Sequence, residues 1–138
     1  MSKQLFNLDD KVIEFTRKFG EVKSEVVIKK NEDITIYGDG KQTRTLCYID
    51  DHLEATLEAF NKNLFNNEIV NIGNDKEITI LELAKKIIQI SNSESKIVFL
   101  DPLKEGDMTR RQPDISRMKI LLKRDFTDLD LGLSYFFK

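Results

Sequence analysis

Two glycines on either side of an aspartate interrupt a β-rich stretch of this 138-residue chain and limit what the neighbouring segments can form. Residues 34–37, ITIY, have the β-branched and aromatic composition of a strand. Gly38–Gly40 (GDG) then predicts a tight turn, and TRTLC at residues 43–47 again has a strand-like composition. We therefore predict a β-hairpin over this region, with Arg44 inside its second strand.

The same turn contains partial matches to a catalytic motif and to a dinucleotide-binding motif. Tyr37 and Lys41 have the Tyr-x-x-x-Lys spacing of short-chain dehydrogenases, in which a helix stacks the two side chains and the lysine lowers the tyrosine pKa. Because the intervening residues are Gly-Asp-Gly between strands, we expect no helix there. Gly38-x-Gly40 likewise lacks the third glycine and the following helix of a dinucleotide-binding loop. We reject both motifs.

Apolar spacing along the chain predicts a single domain, residues 1–138, of the α/β class with α+β-like character and few short strands. The expected order is helix, β-hairpin, helix, strand, helix, strand, loop and two helices. Strands beyond the hairpin are expected at residues 69–72 and 97–100, and residues 22–30 are ambiguous between helix and strand. Five helices are expected. The first covers residues 9–19, and the second is capped by Asp50 or Asp51 and has Leu53, Leu57, Phe60 and Leu64 on its apolar face. The third begins at the capping box Thr79–Glu82, the fourth is short and capped by Asp114, and the last covers residues 129–137.

Composition excludes several classes of function. The net charge of −2 disfavours nucleic acid as a partner, because a nucleic-acid footprint is basic. No apolar run approaches the ~20 residues of a membrane span, and the N-terminal residues contain no apolar signal core. A single cysteine, Cys47, and a single histidine, His52, permit neither an internal disulfide nor a usual zinc site. We therefore expect a cytoplasmic protein without a metal centre.

Three arginines are candidates for anion binding. Arg44 in a strand is either a solvated surface residue or a bidentate phosphate clamp, and the pattern alone leaves both open. Arg110 and Arg111 lie in a loop of turn residues, where adjacent arginines are usually just solvated. Convergence of the three on one anion would favour a binding site, but the sequence does not show convergence.

Three motifs in order resemble one enzyme family. YGDGKQTRTLCYIDDHLEA is similar to the YGDG-x-QTR-x-x-x-YVDD segment of extended short-chain dehydrogenases/reductases, the NAD-dependent epimerase/dehydratase family that acts on nucleotide sugars. VNIGNDKEITILELAKKI resembles the strand, loop and helix that follow, and RRQPDISRMKILL resembles the R-x-PDIS-x-A-x-x-LL stretch. The likeness covers residues 31–122, with residues 1–30 a poorly matched helical lead-in, and is closest to UDP-glucuronate decarboxylases, which form UDP-xylose.

The resemblance implies a substrate-binding lobe and assigns residues to it. Arg44 would contact the UDP moiety, and Arg111 would reach the diphosphate with Arg110 as a second. Tyr37 would lie near the nucleotide, and Gln42 would support the same loop. The implied substrate is a UDP-sugar such as UDP-glucuronate, and the implied cofactor is NAD⁺, which takes a hydride from the sugar C4 and later returns it.

The sequence also departs from the family. It contains no glycine-rich Rossmann fingerprint and no helical Tyr-x-x-x-Lys, and after Leu122 it lacks the family's Gly-Trp-x-Pro run. We therefore expect a truncated or split form that binds no NAD⁺ alone and has no catalytic residues of its own. Such a form would need a Rossmann-half partner chain for lyase activity. The alternative is a non-catalytic protein for interaction or for sensing nucleotide sugars.

Overall fold

The computed structural model describes residues 31–104 and 106–137, so the helix expected over residues 9–19 and the ambiguous segment 22–30 lie outside it. Short strands and helices alternate, which confirms the expected fold class. No described helix has the length and apolar character needed to cross a bilayer. In chain order the elements are β1 (Ile34–Tyr37), β2 (Thr43–Thr45), α1 (Ile49–Asn61), β3 (Glu77–Thr79), α2 (Ile80–Ser91), β4 (Ile97–Leu100), α3 (Ser116–Leu121) and α4 (Leu129–Phe136).

The turn after β1 is present, but the predicted hairpin is wrong. β1 pairs in parallel with β4, whereas β2 pairs antiparallel with β3. Ile34 and Ile36 on β1 are both buried against α2, and the Gly40 carbonyl accepts a hydrogen bond from the Leu81 amide at 3.1 Å. The turn therefore docks on the start of α2 and directs the chain into a second sheet instead of back along β1.

The predicted strand at residues 69–72 is also wrong within the described part of the chain. Burial alternates along this segment as in a strand, with Ile69 exposed and Val70 and Ile72 packed inward. No described strand pairs with it. Arg117 Nη1 donates to the Ile69 carbonyl at 2.6 Å. Val70 and Ile72 therefore supply the apolar pattern of a strand, but a ladder partner is missing among the described residues.

Several local predictions are confirmed. Thr79 accepts a hydrogen bond from the Glu82 amide while Glu82 bonds back to the Thr79 amide, which is the predicted capping box at the start of α2. The strand at 97–100 and the terminal helix also form as predicted. Asp114 accepts from the Ser116 amide at 2.9 Å, but the predicted Asp114 cap is wrong by one residue, because the N-cap residue of α3 is Ile115, which makes no side-chain cap.

The predicted cap of α1 is wrong. The helix begins at Ile49, one residue before the two aspartates, and its N-cap residue Tyr48 makes no side-chain cap. Asp51 is instead fully buried, accepts from the Thr127 amide and hydroxyl at 2.8 Å each, and pairs with Arg124 at 2.9 Å. Its carboxylate ties α1 to the segment before α4, because a buried charge is stable only when paired.

Two apolar clusters hold the described residues together. The first joins β1 to α2 through Ile34, Ile36, Leu83, Ala84 and Ile87. The second joins α1 to α3 through Ala55, Ile115, Met118 and Leu121. Both clusters are small.

The apolar face predicted for α1 is not buried against the described residues. Leu53, Leu57, Phe60 and Leu64 are 50%, 56%, 81% and 40% exposed, whereas the opposite face buries Ala55 completely. The predicted helix is therefore correct, but the stripe that predicted it faces outward.

Candidate nucleotide-binding site

The glycine turn, Gly38–Gly40, connects β1 to the strand that carries Arg44. Gly38 and Gly40 have φ values of +74° and +71°, which side-chain-bearing residues rarely adopt. A Cβ on Gly40 would lie 3.1 Å from the Leu81 Cβ, so the close packing of the turn on α2 also requires a residue without a side chain. Gln42 Nε2 donates to the Tyr37 carbonyl at 3.2 Å across the turn. The turn thus fixes where the chain enters β2.

β2 brings the loop that carries Arg110 and Arg111, the arginine loop, beside Arg44. The Thr43 amide donates to the Thr109 carbonyl at 2.9 Å, and Thr43 forms a parallel bridge with Arg110. On its other side β2 pairs with β3, where Arg44 lies opposite Ile78. The structure therefore places the segments that carry the three candidate arginines side by side, which the sequence alone does not show.

Arg44 is buried, with 9% of its surface exposed, and its guanidinium is held from several directions. Nη1 donates to the carbonyls of Thr43 and Met108 at 2.8 and 2.9 Å. Nη2 donates to both carboxylate oxygens of Asp107, at 2.8 and 2.9 Å. The Asp107 side chain is 40% exposed, so an oxyanion contacts the guanidinium at the solvent side of the site.

The Arg110 side chain is engaged on a separate acidic partner. Its Nε and Nη2 donate to the two oxygens of Glu77 at 2.8 Å each, and Nη2 also donates to Gln112 at 2.6 Å. The Thr43 hydroxyl donates to Glu77 at 2.7 Å. Hydrogen bonds from Arg110 and then Thr43 hold the pKa of the Glu77 carboxyl at about 2, below its ordinary 4.5. This cluster locks the arginine loop onto β2 and β3.

The remaining candidates lie at the surface. Arg111 is exposed and makes no hydrogen bond or ion pair with the residues that the structure describes. Tyr37 is 44% exposed at the end of β1, where it pairs with Leu100. The structure thus joins Tyr37, Gln42 and Arg44 through the glycine turn, and it joins Arg110 to them through the isolated bridge to Thr43, with Arg111 next in the chain.

Sequence reasoning missed Asp107 and Glu77. Asp107 lies 63 residues from Arg44, and Glu77 lies 33 residues from Arg110, so no local spacing relates the partners. The one signal in the sequence that could have identified Asp107 is its position three residues before Arg110, as an acidic residue close to the arginine pair.

A concavity of about 560 Å³ lies between β3, α2 and residues 127–130. Its wall carries charges of both signs, including Lys85, Lys86, Glu82 and Asp130. Lys86 Nζ already pairs with Asp130 at 2.6 Å. The mixed lining favours no single ligand charge, so the arginine site is the stronger candidate for an anionic ligand.

Comparison with known proteins gives consistent matches. A family model described as the NAD dependent epimerase/dehydratase family matches residues 9–73. A UDP-N-acetyl-alpha-D-glucosaminuronate decarboxylase of Bacillus cytotoxicus is 39% identical over 95 residues, which cover 65% of this chain and 29% of that one. The UDP-glucuronic acid decarboxylase 1 of Danio rerio is 39% identical over 105 residues, covering 75% of this chain and 24% of that one.

Solved structures give the same picture. The UDP-glucuronic acid 4-epimerase of Bacillus cereus, in complex with UDP-glucuronic acid and NAD, superposes with a TM-score of 0.66 at 32% identity, over 80% of this chain and 36% of that one. A UDP-glucose 4-epimerase of Thermotoga maritima with UDP-glucose gives 0.67 at 28% identity, over 78% and 34%. The chain therefore spans about a quarter to a third of the length of these relatives.

Proposed function

Because this chain belongs to the NAD-dependent epimerase/dehydratase family, we propose that its described part binds the nucleotide diphosphate of a UDP-sugar. The substrate class that fits best is UDP-glucuronate or a close analogue. This portion would serve an enzyme that resembles UDP-glucuronate decarboxylase. The observation that carries the proposal is the buried Arg44 guanidinium, whose solvent side already holds an oxyanion, the Asp107 carboxylate.

The geometry of Arg44 suits a phosphate. Arginine N–H groups bind carboxylate and phosphate oxygens with similar geometry, so an anion can take the position that Asp107 occupies or share it. The two backbone carbonyls on Nη1 orient the guanidinium before any ligand arrives. An arginine held in this way loses little side-chain entropy on binding, which strengthens its contribution.

Arg111 supplies the second charge in this proposal. Arg111 has no partner among the described residues and would contact the diphosphate. Arg110 is the weaker second contact to the diphosphate in this proposal, since Glu77 already binds its Nε and Nη2.

The turn completes the site. Tyr37, exposed at the end of β1, would pack near the nucleotide, and Gln42 would keep the turn in place through its bond to the Tyr37 carbonyl.

The described residues do not fit NAD⁺ in the family's manner. The glycine turn leads into β2 and not into a helix, so it offers no helix N-terminus to a pyrophosphate. Tyr37 and Lys41 flank a turn and cannot act as a helical catalytic pair. We propose that the hydride chemistry of NAD⁺ is supplied by a Rossmann half outside the described residues, and that decarboxylation requires it.

Calorimetric titration with UDP and UDP-glucuronate tests the site. We expect both to bind the chain and uridine, which lacks the diphosphate, to bind far more weakly. Arg44→Ala should weaken UDP binding by about ten-fold or more, because a charge-assisted contact contributes about 1.5–3 kcal/mol. The matched control is Lys96→Ala, which removes an exposed cation at the opposite end of β4 from the Tyr37 pairing. UDP binding that survives Arg44→Ala unchanged would reject the site.

A further inference from the structure

The concavity between β3, α2 and residues 127–130 has the size of a small-molecule site. Its volume of about 560 Å³ falls within the range of roughly 300–1,000 Å³ that is typical of ligand pockets. Strand β3 supplies one wall, the outward face of α2 a second, and the segment that leads into α4 a third. The ion pair between Lys86 and Asp130 joins the last two walls. The concavity is therefore built from three elements that the fold already holds together.

The acidic side chains of the wall are all engaged within the chain. They belong to Glu77, Glu82, Asp128 and Asp130. Arg110 donates to both oxygens of the first at 2.8 Å each, and the Thr79 amide and hydroxyl donate to the second at 3.0 and 2.7 Å. The Asp128 carboxylate accepts from the Asp130 amide at 2.9 Å, and Asp130 itself pairs with Lys86. Each carboxylate thus already has a bonded donor.

The basic side chains of the wall are engaged less completely. Lys86 is paired, but the ammonium groups of Lys76 and Lys85 form no hydrogen bond or ion pair with the residues that the structure describes. The signs of the charges alone favour no ligand charge, whereas their bonds leave two ammonium groups without a bonded counter-charge. The wall can therefore attract an anion.

A buried amide in the same wall lacks an acceptor. Asn74 lines the concavity and is only 6% exposed. Its Oδ1 accepts a hydrogen bond from the Lys76 amide at 3.0 Å, whereas its Nδ2 makes no hydrogen bond with the described residues. No fully buried side-chain nitrogen or oxygen of the described part is without a partner, so this Nδ2 retains access to solvent. An anionic oxygen in the concavity would supply the acceptor that a buried N–H group normally has.

The rest of the lining is suited to carbon. Leu46, Ile78 and Leu129 give the concavity an apolar portion, and Gln89 adds a second side-chain amide. Ligand pockets commonly combine apolar surface with a few polar groups that fix the orientation of the ligand. The lining therefore fits an organic anion better than a bare inorganic ion.

We propose that this concavity is a binding site for a small organic anion. A carboxylate or phosphate group contacts Lys76, Lys85 and the Asn74 amide, and the carbon skeleton packs on the apolar portion. The site is separate from the arginine site, because neither Arg44 nor Arg111 lines it. The inference is independent of UDP binding at Arg44.

Phenyl phosphate is the probe, because it combines a phosphate group with an apolar ring. In nitrogen NMR spectra of the isotope-labelled 138-residue chain, we expect saturable shifts of the side-chain amide signals of Asn74 and Gln89. Phenol and inorganic phosphate each lack one of the two features, and each should bind about ten-fold or more weakly. Titration with benzoate compares a carboxylate with the phosphate, and the tighter of the two identifies the preferred anionic group.

Variants assign the shifts to this wall. Lys76→Ala and Lys85→Ala should each weaken phenyl phosphate binding by about three-fold, the effect of an exposed ion pair, and more when combined. Asn74→Asp keeps the acceptor for the Lys76 amide but replaces the donor with a negative oxygen, so binding should be lost. The matched control is Lys96→Ala, which removes an exposed lysine that does not line the concavity.

Three results would overturn the proposal. The first is the absence of shifts at Asn74 and Gln89 with excess phenyl phosphate, and the second is an equal effect of Lys85→Ala and Lys96→Ala. The third is binding that Arg44→Ala abolishes while the combined lysine variant retains it, which would place the anion at the arginine site. Arg111→Ala serves in this comparison if Arg44→Ala does not fold. UDP titration reports on the arginine site separately, so failure of one site leaves the other standing.

Discussion

Arg44 and Asp107, 63 residues apart in the chain, form an ion pair in which Nη2 lies 2.8 and 2.9 Å from the two carboxylate oxygens. The arginine is almost wholly buried and the aspartate is partly exposed. The pair both anchors the arginine loop and marks the place where a phosphate would meet the guanidinium.

Asp107→Ala should destabilise the chain and make its stability depend on added anion. Loss of the carboxylate leaves a buried guanidinium short of one partner, which costs about 1–3 kcal/mol in the free energy of unfolding. Inorganic pyrophosphate should then raise the melting temperature of Asp107→Ala more than that of the unchanged chain, because an anion binds the vacated position. Asp101→Ala, an exposed change in the same loop, serves as the control. Equal responses of both variants to pyrophosphate would count against an anion site at Arg44.

Gly40→Ala should destabilise the chain more than Gly106→Ala. Both glycines have positive φ values, +71° and +77°, so each substitution carries a backbone cost of about 1–2 kcal/mol. Only at Gly40 would the new Cβ also press on Leu81, at 3.1 Å, whereas nothing lies within 4 Å at Gly106. We expect urea denaturation to show a further loss of about 1 kcal/mol or more for Gly40→Ala. Matching losses would mean that the turn does not dock on α2.

Met118→Ala should be among the most costly single changes in the described part. The side chain lies on α3 and is fully buried in the cluster with Ala55 of α1, and truncation of a buried methionine costs about 2–5 kcal/mol. Ile120→Ala on the same helix removes a side chain that is 64% exposed and should cost under about 1 kcal/mol. Chemical denaturation followed by circular dichroism measures both, and similar values for the two would contradict the assigned core.

Acidification should reduce the stability that Glu77 contributes. Its folded pKa of about 2 lies below the ordinary 4.5, so the ionised form is favoured by folding. The contribution is complete above pH 4.5 and is lost as the pH falls toward 2. Glu77→Gln should therefore differ from the unchanged chain at neutral pH, and the difference should shrink below pH 4.5. Glu94→Gln provides the control, and a difference independent of pH between 6 and 3 would contradict the Arg110–Glu77 assignment.

The parts of the fold that depend on neighbours in sequence were predictable. The capping box at Thr79 and the turn at Gly38–Gly40 rest on side-chain and backbone preferences within a few residues, and both are present. The choice of strand partner is different, because β1 and β2 each satisfy their hydrogen bonds with a distant strand. A turn between two strand-like runs therefore does not determine that the runs pair with each other.

In the site, too, the local features were predictable and the long-range contacts were not. The family resemblance predicts Arg44 and the arginine loop as binding elements, but their juxtaposition depends on the Thr43–Thr109 backbone hydrogen bond and the isolated bridge between Thr43 and Arg110. Asp107 had no local pattern to identify it. Leu53, Leu57 and Phe60 show the opposite case: their helical spacing predicts a buried face, but the described residues leave all three at least half exposed.

The most direct measurement of the central claim is the side-chain nitrogen NMR spectrum of the arginines during titration with UDP. We expect the Nε signals of Arg44 and Arg111 to shift with a common affinity, while those of Arg117 and Arg124, which pair with Glu68 and Glu54, stay in place. Unchanged Arg44 and Arg111 signals at saturating UDP would contradict a diphosphate site at these two residues.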